Sequence, residues 1–392
     1  MKILHLTSHL NSGGITTYLF NLSQGLLERG HQVTIISSGG SWQKNFENLG
    51  IQHVTSEAFD IKSELHPRLW QFLPKLRSFV KENSIDVLHA HKRVTQVLAQ
   101  TVSVLECVPY ISTCHGFYKL RLGRRIFPAW GSRVIAISKQ VAEYLKNDCG
   151  VSAEKITTIP NALRPEFAQN PVSTEERDTV RKAYGLKPDS IVIGTTGRLV
   201  KVKGCDELLC AAKLLSEFHE NIQVLIVGEG DQRAELFDLK NQLLLDGKVS
   251  ILGEMKDIRL ALQAMDIFVA PVSWEEGFGY SVLEAMHYGK PVIASNTGGL
   301  PCLVEDGVTG FLIPPGNRTG LVKALQTLVS GFALRKKMGE AGIRKARNEF
   351  SWNSMVSETE KIYERAKEAY ETAKSQTNNG SFRCVAHDPV RL

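Results

Sequence analysis

The chain has no uninterrupted apolar run near the roughly 18–20 residues that a bilayer-spanning helix needs, which argues against an integral membrane protein. Its first residues, KILHLTSHL, place a polar side chain every few positions and offer no small-residue cleavage site. They read as a first β-strand and not as a secretory signal. The seven cysteines, at 107, 114, 149, 205, 210, 302 and 384, are scattered, odd in number and without a CxxC pair. That pattern speaks against a disulfide framework and a zinc site, and for free thiols in a reducing compartment. A cytoplasmic protein is expected. The GxGxxG fingerprint of dinucleotide binders is also missing, so a nicotinamide-dependent dehydrogenase is disfavoured.

What is present is ordinary globular material: 392 residues, 43% hydrophobic and 22% charged, enough for two domains. The net charge of +6 is unevenly spread, with +8 over residues 1–165 and −2 over the remainder. A positive first half suits a surface that faces anions.

Short Ile/Val/Leu-rich runs alternate with helical patterns along the whole chain. In the first half the runs fall at 2–7, 32–37, 86–90, 109–113, 133–137 and 156–160, with helices clearest at 14–29, 68–82 and 93–106. In the second half they fall at 190–196, 222–228, 248–252, 266–271 and 291–295. Short apolar strands alternating with helices imply parallel sheets covered on both faces. The expected fold is α/β: two doubly wound, Rossmann-like domains facing each other across a cleft. The boundaries read as a first domain at 1–165, a proline-punctuated linker at 166–189 and a second domain at 190–350. A charged helix at 351–374 should pack back on the first domain, and a polar tail at 375–392 should be disordered.

The richest stretch is EGFGYSVLE at 276–284, which follows an apolar strand and runs into a helix. Glu276 and Glu284 stand eight positions apart, one in the loop and one inside the helix. Open α/β sheets bind ligands at the carboxyl ends of their strands. Two carboxylates there suit the hydroxyls of a sugar and of a ribose, while Gly277 and Gly279 let backbone approach closely. After the strand 190–196 come Gly197-Arg198 and Lys203-Gly204. An arginine fork and a lysine point charge five positions apart can share one diphosphate; a solvated basic loop is the plainer reading.

Ser12-Gly13-Gly14-Ile15 opens the first helix and could offer backbone N–H groups to an anion, or could be only a tight turn. His115, after the strand 109–113, could donate a hydrogen bond to a phosphate or a sugar hydroxyl, though lone histidines are commonly structural. Of His89 and His91, which flank Ala90, one is expected at the site and the other in the core. The glycine pair of Asn296-Thr297-Gly298-Gly299 is read as a further source of backbone amides at the crevice. The segment 117–130 interleaves Lys119, Arg121, Arg124 and Arg125 with aromatic and aliphatic residues. It suits an anionic membrane surface better than nucleic acid.

Read in order, the motifs resemble those of retaining glycosyltransferases of family 4, which have the two-domain GT-B fold. The series runs SGGI, CHG (114–116), AIS, IPNAL, GRL with Lys203-Gly204, VGEGDQRAEL, ILGE, EGFGYSVLEAM, GKPVIAS, TGGLP and EDGVTGFLIPPGN. The resemblance implies a nucleotide-sugar donor with Arg198 and Lys203 on its diphosphate and Glu284 on its ribose. It implies Glu276, with Gly277 and the backbone amides of Phe278 and Gly279, on the donor sugar. Gly13, Gly14 and His115 would reach the donor from the first domain. The catalytic group would be Arg198, Lys203, Glu276 and His115, without a metal, since no DxD motif is present. UDP is preferred over GDP or ADP as the carrier. The acceptor would be a saccharide or a lipid-linked glycan of cell-surface synthesis, reached at the inner face of the cytoplasmic membrane. A nucleotide-sugar epimerase of the same fold, or a non-catalytic nucleotide-sugar-binding subunit, is the alternative. Two residues depart from the family pattern, Cys114 before His115 and Cys302 where a glutamate is common, and both bear on donor choice.

Overall fold

A computed structural model of the chain describes residues 1–61, 63–168, 173–255 and 257–376. Most of the expected disordered tail lies outside the described residues. The described chain forms two compact units, one of Met1–Asn161 with the chain from Trp352 onward, the other of Ala162–Ser351.

The first unit is a sheet of seven strands: β1 (Lys2–Leu6), β2 (Gln32–Ser37), β3 (Gln52–Thr55), β4 (Val87–Ala90), β5 (Tyr110–Cys114), β6 (Arg133–Ala136) and β7 (Ile156–Thr158). Their order is β3-β2-β1-β4-β5-β6-β7 and every pairing is parallel. The central strands β4 and β5 are buried along their whole length, as strands covered on both faces must be. Leu4, Leu6 and Leu88 of the sheet pack with Leu69, Leu76 and Val80 of helix Pro67–Glu82 and Leu98 of helix Arg93–Glu106. The last helix, Trp352–Gln376, lies against helix Gly14–Glu28 of the same unit. Trp352 Nε1 donates to the Asn21 carbonyl over 2.8 Å. Gly25 leaves room for Val356, whose methyl would stand 2.3 Å from any added Cβ.

The second unit repeats the plan with β8 (Ile191–Thr196), β9 (Ile222–Val227), β10 (Val249–Leu252), β11 (Ile267–Ala270), β12 (Val292–Ser295) and β13 (Gly310–Ile313). The order is β10-β9-β8-β11-β12-β13, again all parallel. In both sheets the chain starts near the middle, winds to one edge and returns to the other. The reversal falls between β1 and β4 in one sheet and between β8 and β11 in the other. That is the Rossmann-like arrangement.

Three expectations need correction. The stretch 166–189 is not a free linker, because the second unit begins at Ala162. Within it, helix Thr174–Ala183 starts with a reciprocal cap between Ser173 and Glu176. It also drives Arg181, fully buried, into the unit, where the guanidinium donates to Asp266 at 2.7 Å and to the carbonyls of Ala264, Pro188 and Ser190. A buried arginine wears the polarity of a linker in sequence but acts as a structural tie. Strands β3 (QHVT) and β13 (GFLI) were not anticipated. Each sits at a sheet edge and is only four residues long.

Candidate functional site

The second unit's pocket is built at its reversal point. β8 ends at Thr196, and Gly197 and Arg198 leave the sheet while buried Leu199 pins the loop, its N–H donating to the Glu229 carbonyl over 2.8 Å. One tight turn, Lys201–Lys203, leads to Gly204, which caps the helix Cys205–Ser216 in the left-handed region at φ +69°. A Cβ at Gly204 would stand 2.1 Å from the Pro271 carbonyl oxygen. This close approach clamps the loop after β8 to the loop after β11. Ser273 N–H donating to the Val202 carbonyl over 2.9 Å adds a second clasp.

The clamp places Lys203 Nζ 2.5 Å from Glu276 Oε2, both side chains largely shielded. Arg198 lies on the same wall, exposed, its side chain with no hydrogen bond or ion pair among the described residues. These three line a hollow of about 380 Å³, counting its open mouth, together with Thr195, Thr196, Gly279 and Ser281. Gly279 caps the helix Tyr280–His287 without any side-chain cap, so the first-turn N–H groups of that helix are not taken up by a capping side chain.

The expected residues do not all meet there. Phe278 turns its ring inward, edge-on to those of Tyr280 and Phe350, which leaves its backbone, the part expected at the donor, to face a ligand. Glu284 is not on the pocket wall; it stands further along the helix. Its carboxyl makes no hydrogen bond or ion pair among the described residues, and burial pushes it up from 4.5 to about 8. A desolvated carboxyl with no protein partner keeps its proton at neutral pH. Of the Gly298-Gly299 pair, Gly299 does not present a free amide either. Gly299 N–H donates to the Glu276 carbonyl, and both glycines press against the 275–277 backbone so closely that no Cβ would fit. They hold the Glu276 loop in shape. The hydroxyls of Thr195, Thr196 and Ser281 were missed; the signal for the two threonines was the polar TT ending an otherwise apolar strand.

In the first unit, Gly13 precedes helix Gly14–Glu28 with no side-chain cap and no acidic residue in the first turn. His115 follows β5, half-buried, with burial lowering it to about 3, so its imidazole is neutral. The expectation for His89 and His91 was wrong. Residues two apart on a strand share a face, and both are fully buried, beside His5 of the neighbouring strand. His89 bonds Tyr363 and Thr113, whereas His91 lies between His5 and His115. Cys114 is buried, its thiol donating to the Gly116 carbonyl and pushed up to about 12 by burial. It is packing, not chemistry.

Comparison with known proteins agrees with this topology. Residues 12–167 match the model of Glycosyltransferase Family 4, and residues 176–345 match that of Glycosyl transferases group 1. An Escherichia coli UDP-Gal:alpha-D-GlcNAc-diphosphoundecaprenol alpha-1,3-galactosyltransferase is 31% identical over 269 residues, 64% of this chain and 68% of that protein. An uncharacterized glycosyltransferase of Methanocaldococcus jannaschii is 26% identical over 379 residues, 91% of this chain and 95% of that one. The crystal structure of Anabaena HepE in complex with UDP-glucose superposes with a TM-score of 0.80 at 22% identity, covering 95% of this chain and all of that one. Two halves that match these models in order, on two units of one Rossmann-like topology, place the chain in the GT-B glycosyltransferases of family 4 and group 1.

Proposed function

We propose that the protein is a retaining, metal-independent glycosyltransferase that moves a sugar from a UDP-sugar to a saccharide or lipid-linked acceptor in cell-surface glycan synthesis. The observation that carries the reading is the pocket at the β8/β11 reversal, with Arg198, Lys203 and Glu276 on one wall. Arg198 stands unpaired, ready for a diphosphate. Lys203 is held by Glu276, and an arriving diphosphate would draw the ammonium away. The released carboxylate then accepts hydrogen bonds from the donor sugar. Departure of the diphosphate builds negative charge that the two cations stabilise, the role a metal plays elsewhere. In the resembled family the acceptor attacks from the same face, and its proton passes to the leaving phosphate oxygen. Glu276, tied to Lys203, suits positioning better than nucleophilic attack. Glu284 would meet the ribose hydroxyls with its otherwise unpaired carboxyl. Gly13, Gly14 and His115 would touch the donor from the first unit. The choice of UDP rests on the HepE complex and on the name of the E. coli relative.

The acceptor side of the proposal is a peripheral position on an anionic membrane, on its cytoplasmic face. No described helix is long and apolar enough to cross a membrane. In the short helix Leu122–Ile126, however, Leu122 is 71% and Ile126 59% exposed, near Lys119, Arg121 and Arg125. Arg124 is turned inward, stacked 4.1 Å over the Trp130 ring and bonded to Gln96, so the outward charge is three cations rather than four.

The experiment is a panel of UDP-, GDP- and ADP-sugars scored for thermal stabilisation and then for transfer to lipid-linked and free saccharides. Stabilisation by a UDP-sugar, abolished in Arg198→Glu, followed by transfer with retained configuration, is expected. Turnover without any acceptor, or tight binding with neither hydrolysis nor transfer, would overturn the reading.

A further inference from the structure

Behind His115 the first unit holds two further histidines to which the donor reading gives no role. His5 on β1, His91 just beyond β4 and His115 just beyond β5 form a continuous row. His5 Nδ1 lies 3.0 Å from His91 Nε2, and His91 Nδ1 lies 3.1 Å from His115 Nε2. The row follows from topology. β1 and β4 are adjacent and parallel with His5 opposite His89, and His91 lies two residues on, along the same face. β4 and β5 are adjacent in turn.

All three rings are neutral, because burial lowers His5 and His115 to about 3 and His91 well below its ordinary value. A neutral imidazole carries one N–H and one lone pair. Each link in the row therefore uses one N–H, and the whole row must point one way. Its direction is decided at the inner end, where His5 Nε2 is sealed from solvent without a partner among the described residues. If the row pointed inward, that atom would be a buried N–H with no acceptor, the rarer and costlier kind of orphan. If it points outward, the atom is only an unused lone pair.

We propose that the row points outward, from His5 Nδ1–H to His91 Nε2 and from His91 Nδ1–H to His115 Nε2. His5 and His91 are then positioning residues that fix His115 with its proton on Nδ1. His115 so held presents a hydrogen-bond donor, not an acceptor. This suits a hydroxyl or phosphate oxygen of the nucleotide sugar, and the inference rests on the transferase reading at this point. The same histidines could be taken for a cation site, since His5, His89 and His91 have ligand atoms within 4.8 Å of one another. Both nitrogens of His89, however, are engaged by Tyr363 and Thr113, at 2.6 and 2.7 Å. The 3.0 Å link between His5 and His91 is likewise a hydrogen-bond contact.

The test is nitrogen-15 histidine spectroscopy on the full chain, which reports the tautomer of each ring directly. The expected result is Nδ1–H on His5, His91 and His115, with a His115 Nδ1 resonance that moves when UDP-glucose is added. His91→Phe should let His115 revert to a mixture of tautomers and lower turnover about tenfold, the worth of one neutral hydrogen bond. His91→Gln, with its own donor and acceptor, should recover part of that loss. An Nε2–H tautomer at His115 overturns the proposal in the unmodified protein, whether or not the variants fold. So does stoichiometric zinc uptake that displaces the row. UDP-glucose that raises the melting temperature yet leaves His115 unmoved refutes the donor contact while the transferase reading stands. If no nucleotide sugar binds but the Nδ1–H tautomer is found, the row is upheld and the transferase reading fails.

Discussion

Replacing Glu284 by glutamine should stabilise the protein at neutral pH and leave it unchanged in acid. The carboxyl is raised by burial from 4.5 to about 8 and has no partner among the described residues. Between those two values the folded chain keeps a proton that the unfolded chain releases. Folding stability from this group is therefore highest below about pH 4.5 and is lost as pH rises toward 8. Each pH step in that window is worth ~1.4 kcal/mol, which at pH 7 amounts to at most about 3.5 kcal/mol. Part of the residue's surface is open to solvent, so about 2–3 kcal/mol is the better expectation. A glutamine keeps the shape and never ionises, so Glu284→Gln removes that cost. For a unit of this size the gain corresponds to roughly 4–12 °C in melting temperature. Thermal unfolding of the ligand-free protein and of the variant from pH 4.5 to 8.5 should give two curves that meet in acid and diverge toward alkaline pH. Parallel curves, or a variant less stable at every pH, would refute the claim that an unpaired, desolvated carboxyl sits there. The same substitution should weaken nucleotide-sugar binding. Stability gained where function is lost is the signature of a group held for a ligand.

Three further outcomes follow from other contacts. Arg198→Ala should lower kcat about 10²–10³-fold with an unchanged melting temperature, because the side chain is exposed and unpaired; a parallel loss of stability would assign it a structural role instead. Gly204→Ala should destabilise the protein by about 1–3 kcal/mol through left-handed strain alone, and more if the Pro271 carbonyl cannot move, as read by denaturant unfolding; an unchanged midpoint would mean that the clamp between the two loops is slack. Leu122→Ser with Ile126→Ser should reduce sedimentation with anionic vesicles at low salt without altering turnover of a soluble acceptor, and equal sedimentation would remove the membrane part of the proposal.

The two-fold run of strand and helix was legible because its signals are local. Interior strands such as β9 and β11 are short, largely apolar runs buried along their length, and Gly204 and Gly279 mark helix starts that need the left-handed backbone. Of the four edge strands, β7 and β10 were legible as apolar runs, whereas β3, four residues of mixed polarity, and β13, four residues directly after a turn, were not. The linker expectation failed for another reason. Arg181 looks solvated in sequence, yet it is neutralised by Asp266, 85 residues away. The histidines were misjudged through a faulty use of alternation at positions 89 and 91. The row they belong to could not be seen without strand pairing.

By itself the sequence determined the fold class, the order of the elements and which loops carry cations, carboxylates and glycines, since periodicity and turn chemistry act over a few residues. Only the tertiary structure decided who meets whom. It joins Lys203 to Glu276 across 73 positions and His5 to His91 across 86, because a sheet that reverses at its middle makes neighbours of strands far apart in the chain. It also decided ionisation: the neutral state of Glu284 and of the buried imidazoles is a property of desolvation, which no residue carries until its surroundings close over it.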